Sequence, residues 1–423
     1  MHNPRPSSRL RALGEGWGSL AAATVLSVAC VASAQAQSAP PATITLPYLI
    51  GLTGGAAAFG AAGKIGAEVA EKAINDAGGI PSLGGAKIKI EFVDHQSKQD
   101  IAFSRVRDLA RRPDIPLVMG ALSSGATITA TESAERARLP FLVDGSNDDQ
   151  ITSRGLKYLV NLSMPMSAAA LESVRGLREL SDKYSWKLAN VAILIHDDPP
   201  GPTTLKALNT AVETQKFKVL TTLRYAESTT DFSPTIARLA ALQPDLTIQQ
   251  SYPASALLIT KTMREQGYKP QSIFGIMGGH ALNNYRQQLG SDANGTIFTS
   301  YWNSDLKFKG AEDFSRRYAA AGHAGAPDPF SALAYRTVIA AANIIDSAKS
   351  LDREKVLATM KSLDVKEGQW PLYPFPGGIK FNEKGENIQD QIAIVEWIDG
   401  NPKSIWPLDI AGARPVWPKP AWK

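Results

Sequence analysis

Residues 44–80, ITLPYLIGLTGGAAAFGAAGKIGAEVAEKAINDAGGI, constrain the fold more than any other stretch. The short apolar run at 44–52 reads as a buried strand. Thr53-Gly54-Gly55 turns the chain at once. A long helical pattern follows, with Ile65, Val69 and Ala73 on one face, and Gly78-Gly79 ends it as glycines do at a helix C-terminus. Strand, small-residue turn and helix open an α/β domain, in which ligands sit outside the carboxyl ends of the strands. The free backbone N–H groups at the start of the helix would face such a site.

The same rhythm recurs. Residues 87–93 alternate as a strand, and 99–112 carry Phe103, Val106 and Leu109 at helical spacing. A strand at 117–120 is followed by Ser123-Ser124-Gly125-Ala126-Thr127 and a helix. Another strand at 139–143 ends in Asp144-Gly145-Ser146-Asn147. A second set begins after Met164-Pro165. Its strands are expected at 190–196, 218–225, 245–250 and 273–277, with helices between them. An extended run at 294–301, helices at 311–321 and 329–348 and a late strand at 391–397 complete the chain. Strand–turn–helix repetition implies parallel sheets with helices on both faces. A chain of 423 residues is too long for one core and suits two lobes.

The first 36 residues differ from the rest. Arg5, Arg9 and Arg11 form a basic start, residues 20–31 are apolar but too short to span a bilayer in a folded protein, and Ala34-Gln35-Ala36 suits signal cleavage. A signal peptide over 1–36, cut after Ala36, is expected. An N-terminal anchor helix is the alternative. The only cysteine, Cys30, lies within this stretch, and Ser27 stands where a lipoprotein signal wants an aliphatic residue, which disfavours lipidation. The exported chain would carry no disulfide and would depend on its cores. The net charge of +5 is scattered rather than clustered with aromatics, so no nucleic-acid face is expected.

No catalytic constellation emerges. Gly51, Gly54, Gly55 and Gly60 miss the dinucleotide register, and Gly63-Lys64 is followed by Ile65 where a P-loop needs a hydroxyl. His95, His196, His280 and His323 stand too far apart in sequence for a metal motif, and neither serine cluster fits a nucleophile elbow. Asp144, Asp148 and Asp149 read as caps and turns. No enzyme activity, metal or cofactor is expected. What remains is small polar groups at strand ends: Ser123-Ser124 and Gly145-Ser146-Asn147, each an N-cap if taken alone. Phe59 at the first helix and Tyr252 at a strand end of the second set could face each other across a cleft. Ser124 and Asn147 are expected in surface turns, where truncation would leave folding little affected.

With IGLTGGAAAFG, AINDAGGI, LVMGALSSGATIT, LPFLVDGSNDDQIT, VAILIHDD, FSPTIARLAALQPD, LLITKTMREQGY and PGGIKFNEKGEN in this order, the chain resembles the type I periplasmic solute-binding proteins of ABC importers, the branched-chain amino-acid and amide group. The match covers nearly all of the chain expected after cleavage, from Gln37 on. The resemblance implies two Rossmann-like lobes joined by a three-crossing hinge, residues 43–162 plus 302–365 in one and 163–301 plus 366–423 in the other. It implies a periplasmic monomer that carries a small-molecule ligand to an ABC transporter permease; an exported ligand sensor is the alternative. Ligand-gripping positions of the family fall on Phe59, Ser124, Gly145 and Asn147, with Ser146 beside them and Tyr252 opposite. Two features depart from the pattern. Asp198-Pro199-Pro200-Gly201 stands where a tyrosine is frequent, and Gly278-Gly279-His280 lacks the acidic residue that binds an α-ammonium. Burying an ammonium without such a partner is costly. An organic acid with an apolar or aromatic body, or an amide, becomes a serious contender beside a branched-chain or other amino acid.

Overall fold

The computed structural model describes residues 41–307 and 309–423. The signal-peptide expectation for residues 1–36 lies outside them. The elements in chain order are β1 (Thr43–Ile50), α1 (Ala57–Asp76), β2 (Lys87–Asp94), α2 (Gln99–Ala110), β3 (Val118–Ala121), α3 (Ser124–Arg136), β4 (Phe141–Val143), α4 (Gln150–Ser153) and β5 (Leu159–Asn161). Then come α5 (Met166–Tyr184), β6 (Asn190–His196), α6 (Gly201–Thr214), β7 (Lys218–Tyr225), α7 (Ser233–Leu242), β8 (Leu246–Gln250), α8 (Pro253–Glu265), β9 (Ile273–Gly275), α9 (Asn283–Leu289) and β10 (Thr296–Ser300). The chain closes with α10 (Lys309–Ala320), α11 (Pro329–Ala348), α12 (Arg353–Lys361), β11 (Asp364–Lys366), β12 (Gly378–Lys380), β13 (Ala393–Ile398) and β14 (Asn401–Trp406).

Two sheets organise two lobes. The first runs β2-β1-β3-β4-β5, all parallel. Strand β1 is apolar on both faces because helices cover both. Leu46, Tyr48 and Ile50 pack toward α1 and α11, and Leu49 packs with Val106 of α2 and Ala126 of α3. The second sheet runs β14-β13-β10-β9-β8-β6-β7. Its five strands β10 to β7 are parallel, while β13 and β14 add antiparallel at one edge. Ile193 and Ile195 of β6 face α5 and α6, and Leu194 faces α7 and α8. The sequence expectation of parallel sheets therefore holds for the centre of the second sheet and not for its C-terminal edge, where a two-residue turn folds β14 back on β13.

Helices α1 and α11 form a close seam. A β-carbon on Gly66 would stand 1.8 Å from the carbonyl oxygen of Ser331, so only glycine lets the backbones approach this far. The Ser331 hydroxyl donates to the Ala62 carbonyl across the seam at 2.7 Å.

Behind the strand ends, Arg336 of α11 is fully buried. Its Nη1 donates to Asp390 Oδ1 at 2.8 Å, and its Nη2 donates to Ser163 Oγ at 2.7 Å and to the Asp144 carbonyl at 3.1 Å. Its plane lies over the Phe375 ring at 4.1 Å. Asp390 in turn accepts from the Met164 N–H at 2.9 Å. The cation thus ties α11 to two segments, around 163 and around 390, that lie between the sheets in sequence. The stretch before Asp390 stays with the first lobe: β12 pairs with β11, and the Asn161 N–H at the end of β5 donates to the Gly385 carbonyl at 2.7 Å.

Removing one partner of a buried pair leaves an uncompensated charge, which costs about 3–5 kcal/mol. Asp390→Ala should therefore lower unfolding free energy by roughly that amount, read from urea melts. A loss below about 1 kcal/mol, the worth of an exposed pair, would show that Arg336 is not held as described.

Candidate functional site

The carboxyl ends of the two sheets face each other across a cavity of about 70 Å³. All six residues singled out in the sequence, Phe59, Ser124, Gly145, Ser146, Asn147 and Tyr252, line it.

Each arrives for a local reason. Ser124 is the first residue of α3, whose N-cap Ser123 makes no side-chain cap bond. The first N–H groups of that helix are therefore left free, and they favour an anion. Ser124 Oγ accepts from the N–H groups of Asn147 and Asp148, both at 3.3 Å. A hydroxyl has two lone pairs and one hydrogen, so this hydroxyl is left to donate. Ser124 and Asn147 are 5% and 6% exposed, which corrects the expectation of surface turns. The two loops interlock, and Ser124 holds the second loop's backbone as well as facing the cavity.

Ser146 shares its hydroxyl with Thr127 Oγ1 at 2.7 Å, and Asn147 Nδ2 reaches Tyr301 Oη at 3.4 Å. The Gly145 N–H is already engaged, donating to Asp144 Oδ1 at 2.5 Å. Gly145 is in the wall because a β-carbon there would come 2.7 Å from Leu333. Asp144 itself is turned inward, accepting from the Tyr48 hydroxyl at 2.8 Å and the Leu122 N–H at 3.1 Å. Burial raises its carboxyl above the usual range, and the bonds from Gly145, Leu122 and Tyr48 oppose that rise. It serves the turn, as its sequence context suggested.

The apolar wall is aromatic. Phe59 stacks on Phe330 of α11 at 4.3 Å between centroids and meets Tyr252 of the second lobe at 6.4 Å. The Tyr252 ring covers His196 at 4.8 Å, and its hydroxyl donates to the Pro199 carbonyl at 3.1 Å.

The lobes touch on both sides of the cavity. Thr203 Oγ1 of α6 donates to Asp148 Oδ1 at 3.1 Å. At the other side Asn283, the first residue of α9, donates its N–H to Asp328 Oδ2 at 3.0 Å and its Nδ2 to the Ala326 carbonyl at 2.9 Å. Asp328 is the N-cap of α11, and burial pushes its carboxyl up to about 7.

Sequence reasoning missed several wall residues: Leu122, His196, Gln250, Tyr301 and Phe330. His196 and Gln250 end β6 and β8, so the strand-end rule that found Tyr252 points to them too. Phe330 carries no such signal, because α11 enters the cavity only through tertiary packing. Among the described residues the wall holds no Asp, Glu, Lys or Arg. Asp198 and Glu227 raise the Tyr252 hydroxyl electrostatically, after burial, yet neither carboxylate is part of the wall. Asp197 pairs with Arg224 Nε at 2.5 Å, and both side chains are about half exposed.

Two facing α/β lobes around a cavity lined by uncharged side chains define a ligand-capturing protein. The family model described as periplasmic binding protein matches residues 43–402, and the chain belongs to that family. Its kin are binding proteins, and the family assignment sets the chain outside the enzymes. A curated relative, the Leu/Ile/Val-binding protein homolog 8 of Brucella suis, is 24% identical over 390 residues, covering 90% of this chain and 95% of that protein. The fold is similar to the branched-chain amino-acid transporter substrate-binding protein LivJ of Streptococcus pneumoniae in complex with isoleucine, at a TM-score of 0.73 and 22% identity, covering 85% of this chain and 97% of that one. It is equally similar to a solute-binding protein of an ABC transporter from Rhodopseudomonas palustris BisB5 in complex with 3,4-dihydroxy benzoic acid, at a TM-score of 0.73 and 17% identity, covering 90% and 99%.

Burial lowers the pKa of His196 to about 4, with Asp198 opposing. A depressed base contributes stability that is complete above its unfolded value near 6.5 and is lost as pH falls toward 4. Asp328, raised to about 7, acts in the opposite sense over that range, so a global melt would blur the two. Ring resonances of His196 followed by NMR should instead stay those of a neutral imidazole down to pH 5. A midpoint near 6.5 would contradict the burial described.

Proposed function

We propose that the cleft takes an organic acid with an apolar or aromatic body and that the protein delivers it to an ABC transporter permease. The carrying observation is the wall's polarity: donors at one end and, among the described residues, no Asp, Glu, Lys or Arg. The Ser124 hydroxyl, its lone pairs occupied by two amides, and the free N–H groups at the start of α3 suit a carboxylate. Phe59, Phe330 and Tyr252 suit a flat or apolar body. An α-ammonium would be buried beside neutral groups only, which is unfavourable. A neighbour of the same fold holds a dihydroxylated benzoic acid, which supports this reading. The names of the curated relatives and the isoleucine in another neighbour favour a second reading, a branched-chain amino acid. Export through residues 1–36, with Gln37 as the new terminus, and action as a monomer complete the proposal.

Side-by-side calorimetry with benzoate-like acids, leucine and valine decides between the readings. An aromatic acid is expected to bind more tightly, and tighter leucine binding would overturn the acid reading. Ser124→Ala should weaken the preferred ligand by roughly tenfold to a hundredfold, since a lost partner of a buried hydrogen bond costs about 1–3 kcal/mol. It should also lower the melting temperature of the ligand-free protein, because the Asn147 and Asp148 amides lose their acceptor. Unchanged affinity would remove Ser124 from the site.

A further inference from the structure

The second lobe contributes polar atoms that nothing in the protein satisfies. His196 is 2% exposed and Gln250 is 3% exposed, and both line the cavity. His196 Nδ1 and Gln250 Oε1 are each buried without a hydrogen-bond partner. The surrounding polar groups are committed elsewhere. The Tyr252 hydroxyl goes to Pro199, the Tyr225 hydroxyl to Ser251 Oγ at 2.8 Å and to the Gln250 carbonyl, and Ser300 Oγ to the Trp302 carbonyl at 2.6 Å. Buried polar side chains are nearly always paired, so an unpaired one in a ligand cavity indicates what the ligand brings. The two residues end neighbouring strands: β6 and β8 pair with Ile195 opposite Gln250.

We infer that His196 and Gln250 are specificity residues that hydrogen-bond a hydroxyl substituent on the body of the ligand, at the end remote from Ser124. The inference rests on the cleft being the solute site. It does not depend on which head group the first lobe holds. A neutral imidazole carries one N–H and one lone pair, and a carboxamide likewise donates and accepts. Burial keeps the imidazole neutral at ordinary pH. Their complement is a group that can do both, and a hydroxyl is the smallest. A purely aliphatic side chain would leave both residues desolvated and unpaired. Sites built to hydrogen-bond a substituent discriminate strongly against the analogue that lacks it.

The test uses pairs in which a hydroxyl replaces a methyl or a hydrogen, across three head groups: valine and threonine, benzoate and its 3- and 4-hydroxy derivatives, benzamide and 4-hydroxybenzamide. Calorimetry on the wild-type protein should show the hydroxylated member binding at least about tenfold more tightly in the pairs that bind. In Gln250→Met and His196→Phe, which keep bulk but remove the polar atoms, that ratio should fall toward one while the unhydroxylated partner binds as well as before or better. No hydroxyl preference in any pair overturns the inference, as does a preference untouched by both substitutions. The ranking of head groups is read separately. If threonine exceeds valine while both exceed every acid, the acid reading fails and this inference stands. If the acids win without a hydroxyl preference, the reverse holds.

Discussion

The guanidinium of Arg336 is the interaction on which the cleft's geometry depends. It is a permanent charge with no exposure to water, so its position is set by the oxygens and the Phe375 ring around it. Those oxygens belong to Asp390, Ser163 and the carbonyl of Asp144. Asp144 then fixes the loop that carries Gly145, Ser146 and Asn147, and its other bonds reach Tyr48 of β1 and the amide of Leu122 just past β3. One cation therefore sets the relative height of three strand ends and of the long helix α11. The same helix supplies Phe330 and Leu333 to the cavity wall. Displacement of the hub by an ångström would be transmitted to both ends of any bound solute.

The cavity divides its work between the lobes. The first offers hydrogen-bond donors and two phenylalanine rings. The second offers a tyrosine lid and neutral groups with unused bonding capacity. Neither half alone satisfies a solute that has an acid end and a substituted body. Closure is then favoured to the extent that the second lobe's contacts exceed the cost of ordering the interface, which is the differential binding a two-state hinge requires. The direct interlobe bonds are few and neutral or singly charged, such as Thr203 to Asp148 and Asn283 to Asp328. A modest set of this kind leaves room for the ligand to tip the balance.

Much of the architecture was legible because the physics behind it is local. Alternating strand and helix patterns and glycine stops are short-range signals, and the opening unit at 44–80 appears as a strand and helix close to where its pattern put them. The cavity residues at strand ends were legible because topology places strand ends together. Three kinds of feature were not. The burial of Ser124 and Asn147 follows from two loops interlocking, and neither loop alone records that. The Arg336 pair joins positions 54 residues apart, and the sequence offers no sign that this arginine is buried rather than one of the many exposed ones. The antiparallel return of β13 and β14 is a property of the sheet's edge, where neighbours rather than periodicity decide the direction. The short strands β5, β11 and β12 also escaped; β4 and β9 are as short but lie in longer apolar runs, which β11 and β12, flanked by charged residues, lack.

The late chain position of essential parts has a consequence for how the molecule comes into being. Helix α11, which seals the first sheet against α1, begins at residue 329, and β13, which covers β10, begins at residue 393. Both lobes are therefore left with an unsealed apolar surface until the final quarter of the chain becomes available. A polypeptide that emerges from its N-terminus first cannot finish either half early and cannot assemble the trap prematurely. Most of its contacts join distant parts of the chain, and such non-local contacts form more slowly than local ones. The order of elements along the sequence thus acts as a timer on the acquisition of a compact state.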